Sequence, residues 1–489
     1  MKKAIVIGSG IGGLASAIRL KCKGYDVHVY EKNAYPGGKL TSIQKGGYRF
    51  DAGPSIFTLP HLVDELFSLA GKDPKDYFQY QKLDVSARYF WEDGTKLTAY
   101  ADRDKLLSEI ESKLDANGQE VDKYLSEVER LFKLSYPVFV EKPLNKLSSF
   151  LNKETLLAII NIRKFNLFTS LHNHNKKRFT NPKLIQMWDR YASYNGSNPY
   201  TAPGVLSVIS NLENNSGVFL PKGGTHSITQ SLHQLGKDIG ITYHFNKRIQ
   251  KIDVNKKTIS SITVDGISLT ADLFVSNVDV SSLYNMMKGV KKPTKSLDIE
   301  RSSSALVFYW GISKSFDNLG VHNILFSDKY IEEFKHIFEL NDIYIDPTIY
   351  INITSKKEIT DAPTNCENWF IMINAPSNIG QDWEKLIPKF REIIKNKINR
   401  ILNVDIDKYI EVEEILDPIS IEEKTSSHRG SIYGAASNSN LAIFRRHPNS
   451  TKQFKNLFFV GGSVHPGGGM PICLNSAKIV DSMIKKSND

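Results

Sequence analysis

Two glycine-rich runs at opposite ends of the chain have the residue types and spacing to do chemistry. The first is Gly8-Ser9-Gly10-Ile11-Gly12-Gly13; the second is Gly461-Gly462-Ser463-Val464-His465-Pro466-Gly467-Gly468-Gly469-Met470-Pro471. Each follows a short apolar stretch, Ala4 to Ile7 and Leu457 to Val460, and each opens onto helix-like sequence. That is the pattern of a buried strand, a glycine turn and a helix N-terminus, where free N–H groups and the positive end of the helix dipole suit a phosphate. In the first run Gly8 permits the tight turn, Gly10 lets the backbone approach a diphosphate and Gly13 lets helix and strand pack closely. Ile11 and Gly12 lie in the same turn and are assigned to the nucleotide with it. The second run is placed to close over the rest of the same ligand, so the two termini build one site.

Other elements must position these turns. A second strand, Asp26 to Tyr30, is predicted to end at Glu31, the spacing expected for a carboxylate on ribose hydroxyls; an acid there disfavours a 2′-phosphate and hence NADP. Then come Lys32-Asn33-Ala34-Tyr35-Pro36-Gly37-Gly38-Lys39 and Tyr48-Arg49-Phe50-Asp51-Ala52-Gly53-Pro54. These runs resemble the FAD-binding signature of the amine oxidase, protoporphyrinogen oxidase and carotenoid desaturase superfamily. The resemblance implies that FAD is held by Lys32, Gly38, Lys39, Gly53 and Pro54 along with the first turn and Glu31. The superfamily usually has Arg at the Lys39 position; lysine keeps the charge and loses the bidentate fork. It also often carries an acid after the C-terminal strand. Here Gly462 and Ser463 stand in that place, with Gly469, Met470 and Pro471 completing the expected set. With a single fingerprint present, NAD is not expected as the oxidant.

Composition narrows the alternatives. A chain of 489 residues, 40% apolar, has room for two or three lobes with real cores. No run of about eighteen apolar residues predicts a membrane span. Lys2 and Lys3 precede only four apolar residues before Gly8, too few for a signal peptide, so a cytoplasmic chain is expected. Cys22, Cys366 and Cys473 show no metal spacing, and the twelve histidines show no paired-ligand pattern, so no metal is predicted. Cys22 and Cys473 are read as small core residues. Net charge is +10, but no nucleic-acid module is visible.

The pattern divides the chain without a clean linker. Residues 1–75, 205–285 and 425–489 are assigned to a discontinuous FAD-binding domain. Residues 76–204 read as a helical part of a substrate domain, and 286–424 as its sheet-containing part. The fold class expected is α/β: a Rossmann-like FAD domain interleaved with a mixed α+β substrate domain and a helical, membrane-facing region. Strands are predicted at 241–245, 248–254, 259–264 and 269–275, with Asp265-Gly266 as a hairpin turn. Ile249 is the candidate for backbone contact with the adenine. Further strands are read at 307–310, 344–345, 349–351 and 370–373, and a helix over 383–402. Between Leu144 and Phe179, Phe150, Leu151, Leu156, Leu157, Ile159, Ile160 and Phe168 alternate with Lys146, Lys153, Arg163, Lys164 and other cations. This suits a helix pair in the headgroup zone of an anionic bilayer, or else an ordinary helical cap with a solvated basic face.

The carrying runs, with Gly217 to Gly224 and Ser276 to Asp279, resemble the bacterial phytoene-desaturase-type carotenoid desaturases over essentially the whole length. Arg190 to Pro199, Phe90 to Gly94 and Val464 to Gly469 are most similar to the flavobacterial hydroxycarotenoid 3,4-desaturases. That resemblance implies an FAD-dependent oxidoreductase acting on CH–CH bonds: a hydride passes from C4 of a 1-hydroxylated carotenoid to flavin and a proton leaves C3. It needs no nucleophilic triad and none is assigned; catalytic residues stay unassigned. His465 is the nearest polar candidate for a weak base, but a structural turn role is the preferred reading for it. Tyr191, Tyr194, Asn195 and Ser197 are candidates to read the hydroxyl, or else junction packing. The expected partners are a lipophilic carotenoid, the inner face of the cell membrane, and oxygen or a quinone as electron acceptor. Alternatives are a phytoene or diapophytoene desaturase, a flavin-dependent carotenoid isomerase, and an FAD-less lipid-binding escort protein of the same fold.

Overall fold

The computed structural model describes residues 1–143 and 151–488. Strand β1 (Lys3–Ile7) and strand β2 (Asp26–Tyr30) flank helix α1 (Ile11–Cys22), as the sequence pattern predicts. They belong to a five-stranded sheet with Thr242–His244, Leu273–Ser276 and Leu457–Phe459, every neighbouring pair parallel. Numbered by position in the chain, the strands run 3-2-1-4-5 across the sheet. The order reverses beside β1, and ligands in such sheets bind in the crevice outside the carboxyl ends of the strands at that point. Ile5 and Ile7 on β1 face one apolar core and Ala4 and Val6 the other, as period-two alternation in a sheet covered on both faces requires.

Ile249–Asn255, Thr258–Val264 and Ile267–Leu269 form a small antiparallel sheet. Asp265 and Gly266 make its hairpin turn with φ of 49° and 75°, the left-handed pair that a two-residue turn favours. The single strand expected over 269–275 is two strands in two sheets. Leu269 ends the small sheet, and Leu273 begins the parallel one after Asp272 turns to accept the Lys3 N–H at 2.7 Å.

The third large element is a seven-stranded mixed sheet in the order 410–416, 304–312, 367–375, 349–353, 322–325, 85–90, 96–100. Its Ser304–Ile312 strand is buried along its whole length. Leu306, Phe308, Trp310, Ile371 and Ile373 point to the back, where Phe390, Ile394 and Ile398 of the Trp383–Leu402 helix pack at helical spacing. Val307, Tyr309, Phe370 and Met372 point to the front. Two expectations fail here. The stretch read as helical, 76–204, contributes strands Val85–Phe90 and Lys96–Tyr100 to this sheet. Tyr344-Ile345 is not a strand: Ile345 is exposed, and the next residues are Asp346, which pairs with Lys397, and Pro347, which has no N–H for a ladder. Cys22, expected in the core, is exposed at the last turn of α1.

Among the described residues no helix is long and apolar enough to cross a membrane, and no group of three metal-ligating side chains converges. Because Phe308 is wholly buried against the Trp383–Leu402 helix, Phe308→Ala is expected to cost about 3–5 kcal/mol, seen as a lowered denaturant midpoint in equilibrium unfolding.

Candidate FAD and substrate site

A cavity of about 680 Å³ runs from the carboxyl ends of the parallel strands to the front face of the seven-stranded sheet. Of the residues assigned from sequence, Gly8, Gly10, Ile11, Glu31, Lys32, Gly38, Lys39, Gly53, Pro54, Ile249, Gly462, Ser463, Gly469 and Met470 all line it. Gly12, Gly13 and Pro471 do not. A Cβ on Gly13 would stand 2.1 Å from the Gly8 carbonyl oxygen, so this glycine lets α1 and its turn pack. Pro471 lies in the first turn of the helix Met470–Met483.

At the N-terminal turn Gly8 has φ of +90° and Gly10 begins α1 with no side-chain cap, leaving first-turn N–H groups toward the crevice. Gly37 N donates to the Ser9 carbonyl at 2.9 Å, which brings the Gly37-Gly38 pair alongside Gly10. The Glu31 carboxylate is buried. It accepts from Ser9 N at 2.8 Å, from Ser9 Oγ at 2.9 Å and from Asn33 N at 2.9 Å, which ties the end of β2 to the glycine turn. Lys32 donates to the Glu423 carbonyl and to Ser426 Oγ, and burial pushes its ammonium below the ordinary lysine value.

Lys39 opens on the cavity, and among the described residues its hydrogen-bond partners are carbonyls, Ile432 O at 2.8 Å and Ser431 O at 3.3 Å. Burial, partly offset by the charge of Asp279, pushes its pKa down to about 8. An ammonium so placed is stabilised by an anionic ligand. Gly53 passes so near that a Cβ on it would stand 1.8 Å from the Lys39 carbonyl oxygen. Asp51 is spent elsewhere: it pairs with Arg49 at 2.6 Å and accepts from Thr225 N and His226 N at the start of the helix His226–Asp238.

The C-terminal run meets this turn across Leu273–Ser276. Val460 N donates to Ser276 O at 2.8 Å. Ser463 Oγ accepts from Val280 N at 3.0 Å and so holds the helix Val280–Asn285 against the cavity. Sequence reasoning missed two lining residues here. Asn277 sits between Gly10, Gly12 and Gly461. Asp279 caps the helix Val280–Asn285 and receives Arg301 at 2.5 Å, placing a carboxylate at the cavity that the Gly462-Ser463 run lacks. Their signal was position, directly after a parallel strand beside β1. Cys473, expected in the core, also lines the cavity, and burial pushes its thiol up to about 11.

His465 does not line the cavity. Its Nε2 pairs with the Lys142 carbonyl at 3.0 Å, and burial pushes its pKa down to about 4, so it supports the turn. Of the four hydroxyl-reading candidates only Tyr194 reaches the cavity. Tyr191 donates to buried Glu213 at 2.7 Å, Asn195 donates to Ser437 at 2.6 Å, and Ser197 accepts from Ser437 N at 2.8 Å. Apolar walls at the substrate end include Val307, Ile324, Phe370, Met372, Leu416 and Ile421, with Tyr309, Thr348, Tyr350 and Asn374 also lining it.

A cap-free helix N-terminus, a glycine cradle, a buried carboxylate at the end of β2 and a lysine held by carbonyls form a set of groups that suits a flavin dinucleotide. The family model described as flavin containing amine oxidoreductase matches residues 11–313. The chain is 49% identical, over 100% of both sequences, to a 1-hydroxycarotenoid 3,4-desaturase of Flavobacterium sp. (strain P99-3). It is 30% identical to a 4,4'-diaponeurosporene oxygenase of Staphylococcus haemolyticus, over 99% of this chain and 97% of that one. An oxidoreductase from Methanosarcina mazei shares the fold, with a TM-score of 0.64 at 15% identity over 98% of this chain and 100% of that one. The chain belongs to the flavin-containing amine oxidoreductases, an FAD-dependent class. Within them it is a member of the carotenoid desaturase family.

Two expectations test this geometry. Gly13→Ala must displace the Gly8 turn, so the purified protein should carry markedly less flavin absorbance per protein than wild type. In cofactor-free protein Lys39 is less basic folded than unfolded, so its ammonium disfavours folding below about pH 8. That penalty is relieved as pH rises from about 8 toward the unfolded value, where the unfolded chain binds more protons. Lys39→Met should therefore be stabilised relative to wild type at pH 7, with the difference shrinking at higher pH, as read by thermal unfolding.

Proposed function

We propose that this chain introduces the C3,4 double bond into a 1-hydroxylated carotenoid. The observation that carries the reading is full-length similarity to an enzyme of that name, joined to a cavity that continues from the nucleotide crevice onto an apolar sheet face. A polyene rod fits such a face, since apolar walls bury it without leaving polar groups unpaired. FAD, when bound, would supply the two-electron acceptor for the hydride from C4. The residues assigned to it by sequence, from Gly8 through Pro471, would hold it by backbone N–H groups, Glu31 and Lys39. The front face of the seven-stranded sheet aligns the polyene end and excludes water, so that the C4 hydride and the C3 proton leave in a dry pocket. Oxygen or a quinone would be the final electron acceptor, and NAD has no second fingerprint to bind.

A lipid-dissolved substrate needs a route from the bilayer. Leu151, Ile160 and Phe168 are 82%, 69% and 90% exposed, beside Lys153, Arg163 and Lys164. Lys146 and Phe150 of the same segment lie outside the described residues. Apolar side chains held in water among cations support peripheral docking on an anionic membrane, at its inner face for a cytoplasmic chain.

The deciding experiment is a pigment profile. Expressed in cells making a 1-hydroxylated carotene, the chain should yield a product two hydrogens lighter and red-shifted, with phytoene left unchanged in a parallel strain. Conversion of phytoene or its C30 analogue would move the reaction to the start of the pathway. A colour change without mass change would mean isomerisation, and lipid binding without flavin would mean an escort protein. For docking, Ile160→Glu with Phe168→Glu should reduce co-sedimentation with anionic vesicles several-fold while leaving flavin content intact.

A further inference from the structure

Beyond the tyrosines Tyr309 and Tyr350, the polar side chains that the seven-stranded sheet presents to the cavity lie at one end. Asn374 pairs with Ala305 on the neighbouring strand, and Thr348 stands on its other side, one residue before Ile349, which pairs with Ile373. Both side chains line the cavity. Behind them is Glu333, 1% exposed, from the helix Tyr330–Lys335. Its Oε1 accepts from Asn374 Nδ2 at 3.1 Å and its Oε2 from Thr348 N at 3.0 Å. Thr348 Oγ1 accepts from Ser327 N at 3.2 Å.

These bonds fix what the pair offers. The Asn374 amide turns its NH2 to Glu333, which leaves its carbonyl oxygen as an acceptor toward the cavity. Thr348 is committed on both sides, its oxygen to the Ser327 N–H and its hydroxyl to the Glu333 carboxylate. The Asn374 amide oxygen, held in direction by Glu333, is thus the acceptor left for the proton of one hydroxyl group. Burying a carboxyl beneath an apolar wall costs free energy that an aliphatic row would avoid.

We infer that Asn374, oriented by Glu333 with Thr348 bracing that carboxylate, reads the terminal hydroxyl of the substrate and determines specificity for it. The inference rests on the hydroxycarotenoid reading above and names the residues that enforce it. Position agrees with chemistry. The pair lies one pleat repeat, roughly 7 Å, from Tyr350, whose hydroxyl meets Ser55 Oγ at 2.9 Å directly after the assigned Gly53-Pro54 segment. A hydroxyl on C1 is only a few bonds from the C3–C4 bond, so its reader must stand toward the cofactor end of the cavity. Tyr194 is the rival reader: it takes a bond from Arg190 at 3.1 Å, but it offers a lone group on another wall.

The test is a binding titration of the holoenzyme in detergent with a 1-hydroxylated carotenoid and with its non-hydroxylated parent, for wild type, Asn374→Leu, Thr348→Val and Tyr194→Phe. Wild type should prefer the hydroxylated ligand. Asn374→Leu should lose about tenfold of that preference by weaker binding of the hydroxylated ligand alone, and Thr348→Val, which loosens only Glu333, should lose less. Should Asn374→Leu fail to fold, Asn374→Ala, which adds no bulk, carries the same test. Preference kept in the Asn374 variant, or lost only in Tyr194→Phe, overturns the assignment while the substrate reading stands. No preference in wild type overturns the substrate reading, and this assignment with it.

Discussion

Three stretches of chain far apart in sequence converge on the side chain of Asn277, and only the absence of Cβ atoms lets them do so. A Cβ on Gly10 would stand 2.4 Å from its amide nitrogen; one on Gly12 or Gly461 would stand 2.7 Å from its amide oxygen. These are closer than real carbon atoms approach. The N-terminal turn, the end of the fourth parallel strand and the C-terminal turn are thus keyed to one residue, and the crevice for the dinucleotide is the space left beside them. Glu31 extends the same lock to β2 through Ser9. Once those contacts hold, the position of every cavity-lining glycine follows from backbone geometry.

The substrate half obeys a different rule. There the sheet separates two apolar environments by alternation: one set of side chains packs on the Trp383–Leu402 helix and the next set is left for a ligand. Charge is managed by pairing beside the cavity, as with Arg190 and Glu213 at 2.7 Å and Arg301 and Asp279 at 2.5 Å. Lys39 is held by carbonyls instead, and its depressed basicity marks where an anion is wanted.

Much of this was legible because the informative patterns are local. A four-residue apolar run before Gly8, a carboxylate at the end of the next strand and the 3.6-residue rhythm from Trp383 to Leu402 each encode one element by themselves. What escaped depends on distant partners. Val85–Phe90 is a strand because it lies parallel to His322–Leu325, over two hundred residues on. The break between Leu269 and Leu273 separates two sheets that meet only in three dimensions. Cys22 and Cys473 carry no local mark to say that one faces solvent and the other a cavity. The reading of His465 as a possible base failed for the same reason: its carbonyl partner, at Lys142, is over three hundred residues away.

The sheet order has a consequence in time as well as space. β1 and β2 are made well before their neighbour Leu273–Ser276, and the strand Leu457–Phe459 follows over four hundred residues after β2. At roughly 5–20 residues per second, tens of seconds separate the two glycine turns. Until the second turn is made, one side of the crevice is missing and the Leu273–Ser276 edge of the nascent sheet stays unpaired. Cofactor capture therefore waits for the second glycine turn, and a chain that stops before it has half a nucleotide site.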